Sequence, residues 1–168
     1  MADETTPAQG AAAPAAGQPA EQPKLVMHSQ FLQDLSFENP AGSTVFTKTD
    51  LKPQVKLNMN VDTKKLGETT YEVALKMTGD ASQDDERCFL VEIDYRGVFS
   101  LTNAEEGIVQ PVLLVEGPRM LFPFARRIIA DAVRDGGFPP LMVEPVDFLK
   151  VFRQRMLQRQ KQAEGETV

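Results

Sequence analysis

Val55-Lys56-Leu57-Asn58-Met59-Asn60-Val61-Asp62 alternates apolar and polar side chains without interruption. A period of two sends successive side chains to opposite sides of an extended chain, so this stretch predicts a strand with one apolar and one wetted face. The pattern recurs downstream. Tyr71, Val73, Leu75 and Met77 alternate with Glu72, Ala74, Lys76 and Thr78, and Phe89, Val91, Ile93 and Tyr95 alternate with Cys88, Leu90, Glu92 and Asp94. Upstream, Leu25, Met27, Phe31, Leu35 and Phe37 hold odd positions, while His28, Gln30, Asp34, Ser36 and Glu38 hold even ones. Asn39-Pro40-Ala41-Gly42 then turns the chain. Four such strands with polar connections predict an antiparallel sheet, apolar on one side and wet on the other.

The apolar side needs a cover. Leu121-Phe122-Pro123-Phe124-Ala125-Arg126 is followed by Gly137-Phe138-Pro139-Pro140-Leu141 and by Pro145-Val146-Asp147-Phe148. These runs predict two helices. The first extends from about Pro118 to Asp135, with Pro118 in its first turn, Gly136-Gly137 as its stop, and Pro123 kinking it or delaying its regular start. Leu121, Phe124, Ile128 and Ala132 are its expected apolar stripe. The second starts at Asp147 as N-cap and aligns Phe148, Leu149, Phe152 and Met156. The expected fold class is therefore α+β, a four-stranded antiparallel sheet with two C-terminal helices packed on one face.

The chain divides into three segments. Residues 1–24 contain eight Ala and four Pro and no aromatic residue, too little apolar area to offset ordering, so they are expected to be a disordered extension. Residues 25–160 form the folded domain, and 161–168 are expected to be a flexible tail. A net charge of −6 and a pI near 4.9 argue against general nucleic-acid binding and favour basic partners. Cys88 has no partner for a disulfide and no zinc spacing around it, which leaves it as a small apolar strand residue. No apolar run has the length of a membrane span, and the first basic residue is Lys24, unlike a signal peptide; the protein is expected in the cytoplasm.

Catalytic machinery has no candidates. His28 sits on the polar parity of a strand with no serine, cysteine or paired acid close by, and no Walker-type loop, GxGxxG turn or His/Cys cluster occurs. Asp84-Asp85 and Glu105-Glu106 are adjacent carboxylates in expected loops, where solvated turns are the ordinary reading. The expectation is a protein that is not an enzyme and needs no cofactor or metal.

SFENP at 36–40, VFTKTDLKPQVKLN at 45–58, YEV at 71–73, FLVE at 89–92, and then LFPFAR, GGFPPL and PVDF occur in an order and spacing that resembles the SecB family of protein-export chaperones, over roughly Leu25 to Met156. The resemblance implies an ATP-independent holdase that keeps preproteins unfolded and export-competent and delivers them to the SecA motor. It implies a homotetramer, a dimer of dimers with helices sandwiched between two sheets, and neither nucleic-acid binding nor membrane insertion. Two sites come with it. A client groove would use Phe46, Leu51, Phe138, Leu141, Phe148 and Phe152, and a SecA-docking face would use Asp34, Glu38, Leu90 and Glu92. Two features depart from the family pattern: Leu51 stands where a tryptophan is frequent, and the Ala/Pro extension is additional. The alternative is a SecB-like scaffold dedicated to one partner, as in chaperones linked to toxin–antitoxin systems; a small-molecule enzyme on an α+β sheet is a third.

Overall fold

A computed structural model describes residues 22–165, so most of the expected N-terminal extension and residues 166–168 of the expected tail lie outside the described residues. Strand β1 spans Lys24–Glu38 and is followed by a 3-10 helix, Gly42–Thr47. Strands β2 (Gln54–Lys65), β3 (Thr70–Gln83) and β4 (Glu86–Thr102) come next, then helices α1 (Glu106–Asp135) and α2 (Phe148–Gly165). The sheet is antiparallel with strand order β1-β4-β3-β2. β2, β3 and β4 form a meander, whereas β1 and β2, neighbours in sequence, lie at opposite edges. The segment between them, carrying the 3-10 helix, must cross the end of the sheet. The fold class is the one the alternation predicts.

Register explains which face is which. Leu75 is paired with Val61 on one side and Tyr95 on the other, and Met77 with Met59 and Ile93, so the odd positions of β2, β3 and β4 share one face. That face carries the core: Val73, Leu75, Met77, Val91 and Phe99 are buried beneath α1. The helix sits close because glycines make room for it. A Cβ at Gly97 would lie 2.9 Å from the Leu121 side chain, and one at Gly117 would lie 2.9 Å from Val73.

β1 departs from simple alternation. Its ladder with β4 shifts register between Met27 and Ser29 and again between Leu32 and Asp34, leaving His28 and Gln33 as extra residues of two bulges. Each extra residue reverses the parity of the strand beyond it. Between the bulges, Gln30 and Leu32 therefore face α1 opposite Gly97 and Tyr95, and Phe31 turns to the open face opposite Arg96. The expectation that Phe31 shares a side with Leu25 and Phe37 is corrected. The second bulge restores the original parity, so Asp34, Ser36 and Glu38 lie on the open face as read from sequence.

α1 also differs from expectation. It begins at Glu106 rather than near Pro118, and Pro111, Pro118 and Pro123 all lie inside it. Each proline removes one i→i−4 bond and ordinarily breaks a helix. Here packing on the sheet compensates: Leu113, Pro118, Leu121, Ala125, Ile129 and Val133 are fully or nearly fully buried. The buried stripe is thus rotated from the expected one. Phe124 is half-exposed, its ring 6.5 Å from that of Tyr95, while Ile128 and Ala132 flank the seam.

The C-terminus of α1 ends as its glycines predict. Gly137 has φ +89°, its N–H donates to Arg134 O, and the N–H of Phe138 donates to Val133 O, the paired bonds of a Schellman motif. Asp147 caps α2 as expected, its Oδ1 accepting from the Lys150 N–H at 3.0 Å. α2 continues to Gly165, into the segment expected as a tail. No helix among the described residues is long and apolar enough to cross a membrane.

Candidate functional site

Two surfaces separate by face. The first lies at the end of α1, where Gly136-Gly137-Phe138 brings together aromatic rings from four elements. Phe138 sits 4.8 Å from Phe89 of β4, 5.1 Å from Phe46 of the 3-10 helix and 6.3 Å from Phe37 of β1, centroid to centroid. Gly136 is required because any side chain there would overlap the Phe37 ring. Leu141 then packs over Gly79 of β3, a position where a Cβ would be only 3.1 Å from it.

From there an apolar track continues along the outer strand. Val55 and Leu57, on the α1 side of β2, are exposed because β2 is a sheet edge and α1 does not reach over them. Met59 and Val61, next in the row, line a cleft of about 330 Å³ with Leu114, Phe148, Val151 and Phe152. Arg155 of α2 donates to Val61 O at 3.1 Å and so fixes the far wall of that cleft to the edge strand. Val55 to Val61 alone spans about 20 Å of extended chain.

Of the six residues expected in a groove, Phe46 and Phe138 lie in the aromatic cluster, Leu141 over Gly79, and Phe148 and Phe152 along the cleft, while Leu51 packs against the core. Phe46 is 46% exposed, whereas Phe138 and Phe148 are only 3% and 2% exposed. Leu51, Leu141 and Phe152 are half-buried and packed against the core. Phe138 and Phe148 are therefore the floor on which exposed groups rest, and they cannot present a ring to a ligand without repacking. Val55 and Leu57, not among the expected groove residues, lie exposed on the edge strand. Alternation marks them as apolar-face residues and cannot show that their strand is at an edge, which depends on β1 joining β4.

The second surface is the open face. Most of its carboxylates are neutralised within the sheet. Asp62 pairs with Lys76, Asp80 with Arg87, and Asp94 and Glu72 both with Arg96. The Arg96 guanidinium, gripped by Asp94 through two hydrogen bonds and by Glu72, has its pKa raised further above its usual value. Asp34, Glu38 and Glu92 are different: none is in a direct ion pair among the described residues, although Glu92 accepts a long 3.5 Å bond from Thr78 and Arg87, itself paired with Asp80, lies within the field of Glu38. They are also neighbours. Glu38 is directly opposite Leu90 and Ser36 directly opposite Glu92, which puts Glu92 diagonally between Asp34 and Glu38. Diagonal neighbours are about 7–8 Å apart, and like charges at such range with no direct ion pair are unfavourable in the isolated protein. Leu90, half-buried, stands at the end of this acidic row.

No catalytic arrangement accompanies either surface among the described residues. His28, in the first β1 bulge, has its Nε2 2.8 Å from Ser100 Oγ, a hydroxyl partner rather than a carboxylate. Cys88 is buried, with its thiol 3.9 Å from the Glu86 carbonyl. Among the described residues no group of His, Cys, Asp and Glu has metal-binding geometry.

Comparison with known proteins gives consistent matches. The family model described as preprotein translocase subunit SecB matches residues 18–159. The protein-export protein SecB of Xanthobacter autotrophicus is 47% identical over 136 residues, covering 81% of this chain and 87% of that protein. That of Parvibaculum lavamentivorans is 45% identical over 138 residues, 82% of each chain. Among solved structures, the SecB-like chaperone of Mycobacterium tuberculosis, in complex with a peptide from an antitoxin, superimposes with a TM-score of 0.58 at 12% identity. It covers 73% of this chain and 90% of that one, a likeness of fold.

Proposed function

The chain belongs to the SecB family, and from that premise we propose that it is a non-enzymatic holdase of protein export, acting in the cytoplasm: it keeps precursor proteins unfolded and passes them to SecA. The observation that carries this reading is the division of one sheet into an apolar track on the helix side and a row of unpaired carboxylates on the other. Unfolded chains have apolar side chains and free backbone in common, and a long apolar trough recognises them without reading sequence. Coupled ordering of a client buries about 1,000–3,000 Å² and costs about 2–5 kcal/mol or more of the gross interaction energy, so one protomer's track calls for extension over several copies.

A homotetramer, two dimers joined through their helices, provides that extension. Leu32 and Leu35 of β1 and Met120 and Phe124 of α1 are exposed on the helix side, an apolar margin suited to burial between copies. Phe46, Leu51, Leu141 and Phe152 contact the client, over a floor of Phe138 and Phe148. Asp34, Glu38, Leu90 and Glu92 dock SecA, and the charge they leave uncompensated is offset by a basic partner surface. Hand-over proceeds by competition, since the chain itself supplies no energy source for release.

The test is to dilute a denatured, slow-folding precursor into the full chain. Slowed refolding with retained export competence is expected, together with co-purification with SecA and a native mass of four chains. Unchanged refolding of every precursor tried would sink the holdase reading.

A further inference from the structure

We propose that Phe31 is a second apolar anchor of the docking face, so that this face takes an extended basic segment with an apolar side chain near each end. The inference rests on the docking reading above and adds to it a length, a polarity pattern and one residue. The double bulge is what reveals it. Simple alternation places Phe31 under the helix; the bulge at His28 turns it to the open face, where the residue is 36% exposed.

On that face β1 presents Phe31, Asp34, Ser36 and Glu38 in a row, and β4 presents Arg96, Asp94, Glu92 and Leu90 beside it. Asp34 and Glu92 thus lie between two apolar groups, Phe31 at one end and Leu90 at the other, with Glu38 directly opposite Leu90. The interval is about 20 Å, the length of roughly six extended residues. Val98, diagonal to Phe31 across the ladder, enlarges the apolar end, being opposite Ser29. Arg96, opposite Phe31, does not repel a basic segment, because Asp94 and Glu72 together outweigh its charge.

The division of labour is physical. Unpaired carboxylates draw a basic segment in and set its salt sensitivity. Apolar anchors at the ends fix its register and slow its departure, and aromatic side chains are over-represented among residues that carry binding energy. One anchor at Leu90 would leave the segment free to pivot about a single point; two fix its direction along the strands.

The experiment measures SecA binding to the full chain at several salt concentrations for Phe31→Ala, Phe31→Thr, Phe31→Leu and Glu92→Lys, with native mass and circular dichroism as controls. Phe31→Thr puts a β-branched residue, well suited to a strand, in place of the ring should the alanine variant misfold. Phe31→Ala and Phe31→Thr are expected to weaken binding about tenfold with the salt slope unchanged, and Phe31→Leu to stay within about threefold. Glu92→Lys is expected to weaken binding and flatten the slope. If Glu92→Lys acts as stated while both smaller replacements at Phe31 bind normally, the anchor is wrong and the docking face stands. If none of the variants weakens binding, the docking reading itself fails. A changed native mass in Phe31→Thr would make Phe31 a contact between copies and overturn the proposal.

Discussion

On the helix side of the sheet, Val55, Leu57 and Met59 lie in sequence along an edge strand beside rings gathered by Gly136-Gly137-Phe138. On the open side, Asp34, Glu38 and Glu92 make no direct ion pair among the described residues, although Arg87 lies within the field of Glu38, while Asp62, Glu72, Asp80 and Asp94 are all paired. Both surfaces leave an unfavourable contact with water or with like charge, and they do so by different means. The apolar track is continuous with the core, so its exposed groups rest on buried ones. The acidic row is a surface arrangement on rigid strands, and its members can be changed without disturbing packing. Substitutions in the buried floor of the track should therefore mix stability with binding, whereas substitutions of its exposed groups and of the row should act mainly on binding.

The largest expected effect breaks the track from below. Phe138→Ala removes a buried ring from contact with three others and should cost about 3–5 kcal/mol, read as a lowered urea midpoint, with loss of client holding alongside. An unchanged midpoint would mean that the aromatic cluster is not a foundation of the groove. Leu57→Asp sharpens the contrast, since this side chain is exposed at the sheet edge. Client affinity should fall about tenfold with stability shifted by no more than about 0.5 kcal/mol. A large loss of stability would instead place Leu57 inside an interface between copies. The smallest effect belongs to the acidic row. Glu92→Gln relieves repulsion from Asp34 and Glu38 and should raise stability by a few tenths of a kcal/mol, up to about 0.5, measured as a higher thermal midpoint at low salt. The same variant should bind SecA more weakly, so that stability and docking move in opposite directions.

Much of this was legible in the sequence. Unbroken alternation from Val55 to Asp62 and Tyr71 to Thr78 identified the strands and their faces, because a half-buried strand has no other way to satisfy both sides. The end of α1 was legible too, from Gly136-Gly137, and so was the Asp147 cap. The beginning of α1 was not. Pro111, Pro118 and Pro123 read as breakers by local rules, and only the sheet beneath them shows that burial outweighs three missing hydrogen bonds. The residues proposed for docking come from the resemblance, and their parity places them on the open face, yet their lack of direct ion pairs is a matter of which cations lie within reach. Exposure of Val55 and Leu57 depends on strand order, a relation between segments far apart in the chain.

The two bulges of β1 act like a pair of sign changes. His28 flips the numbering parity of the strand and Gln33 flips it back, and both stand outside the ladder, since Met27 and Ser29 face consecutive partners, as do Leu32 and Asp34. Deleting Gln33 would close its bulge and leave Leu32 opposite Tyr95 and Asp34 opposite Asp94, so that no side chain changes face. Deleting a paired residue such as Leu35 has no such freedom, because either Asp34 or Ser36 must then take its place on the helix side. The bulges are thus slack stored in the strand: the harm of a one-residue deletion is expected to depend on whether it removes an extra residue or a paired one.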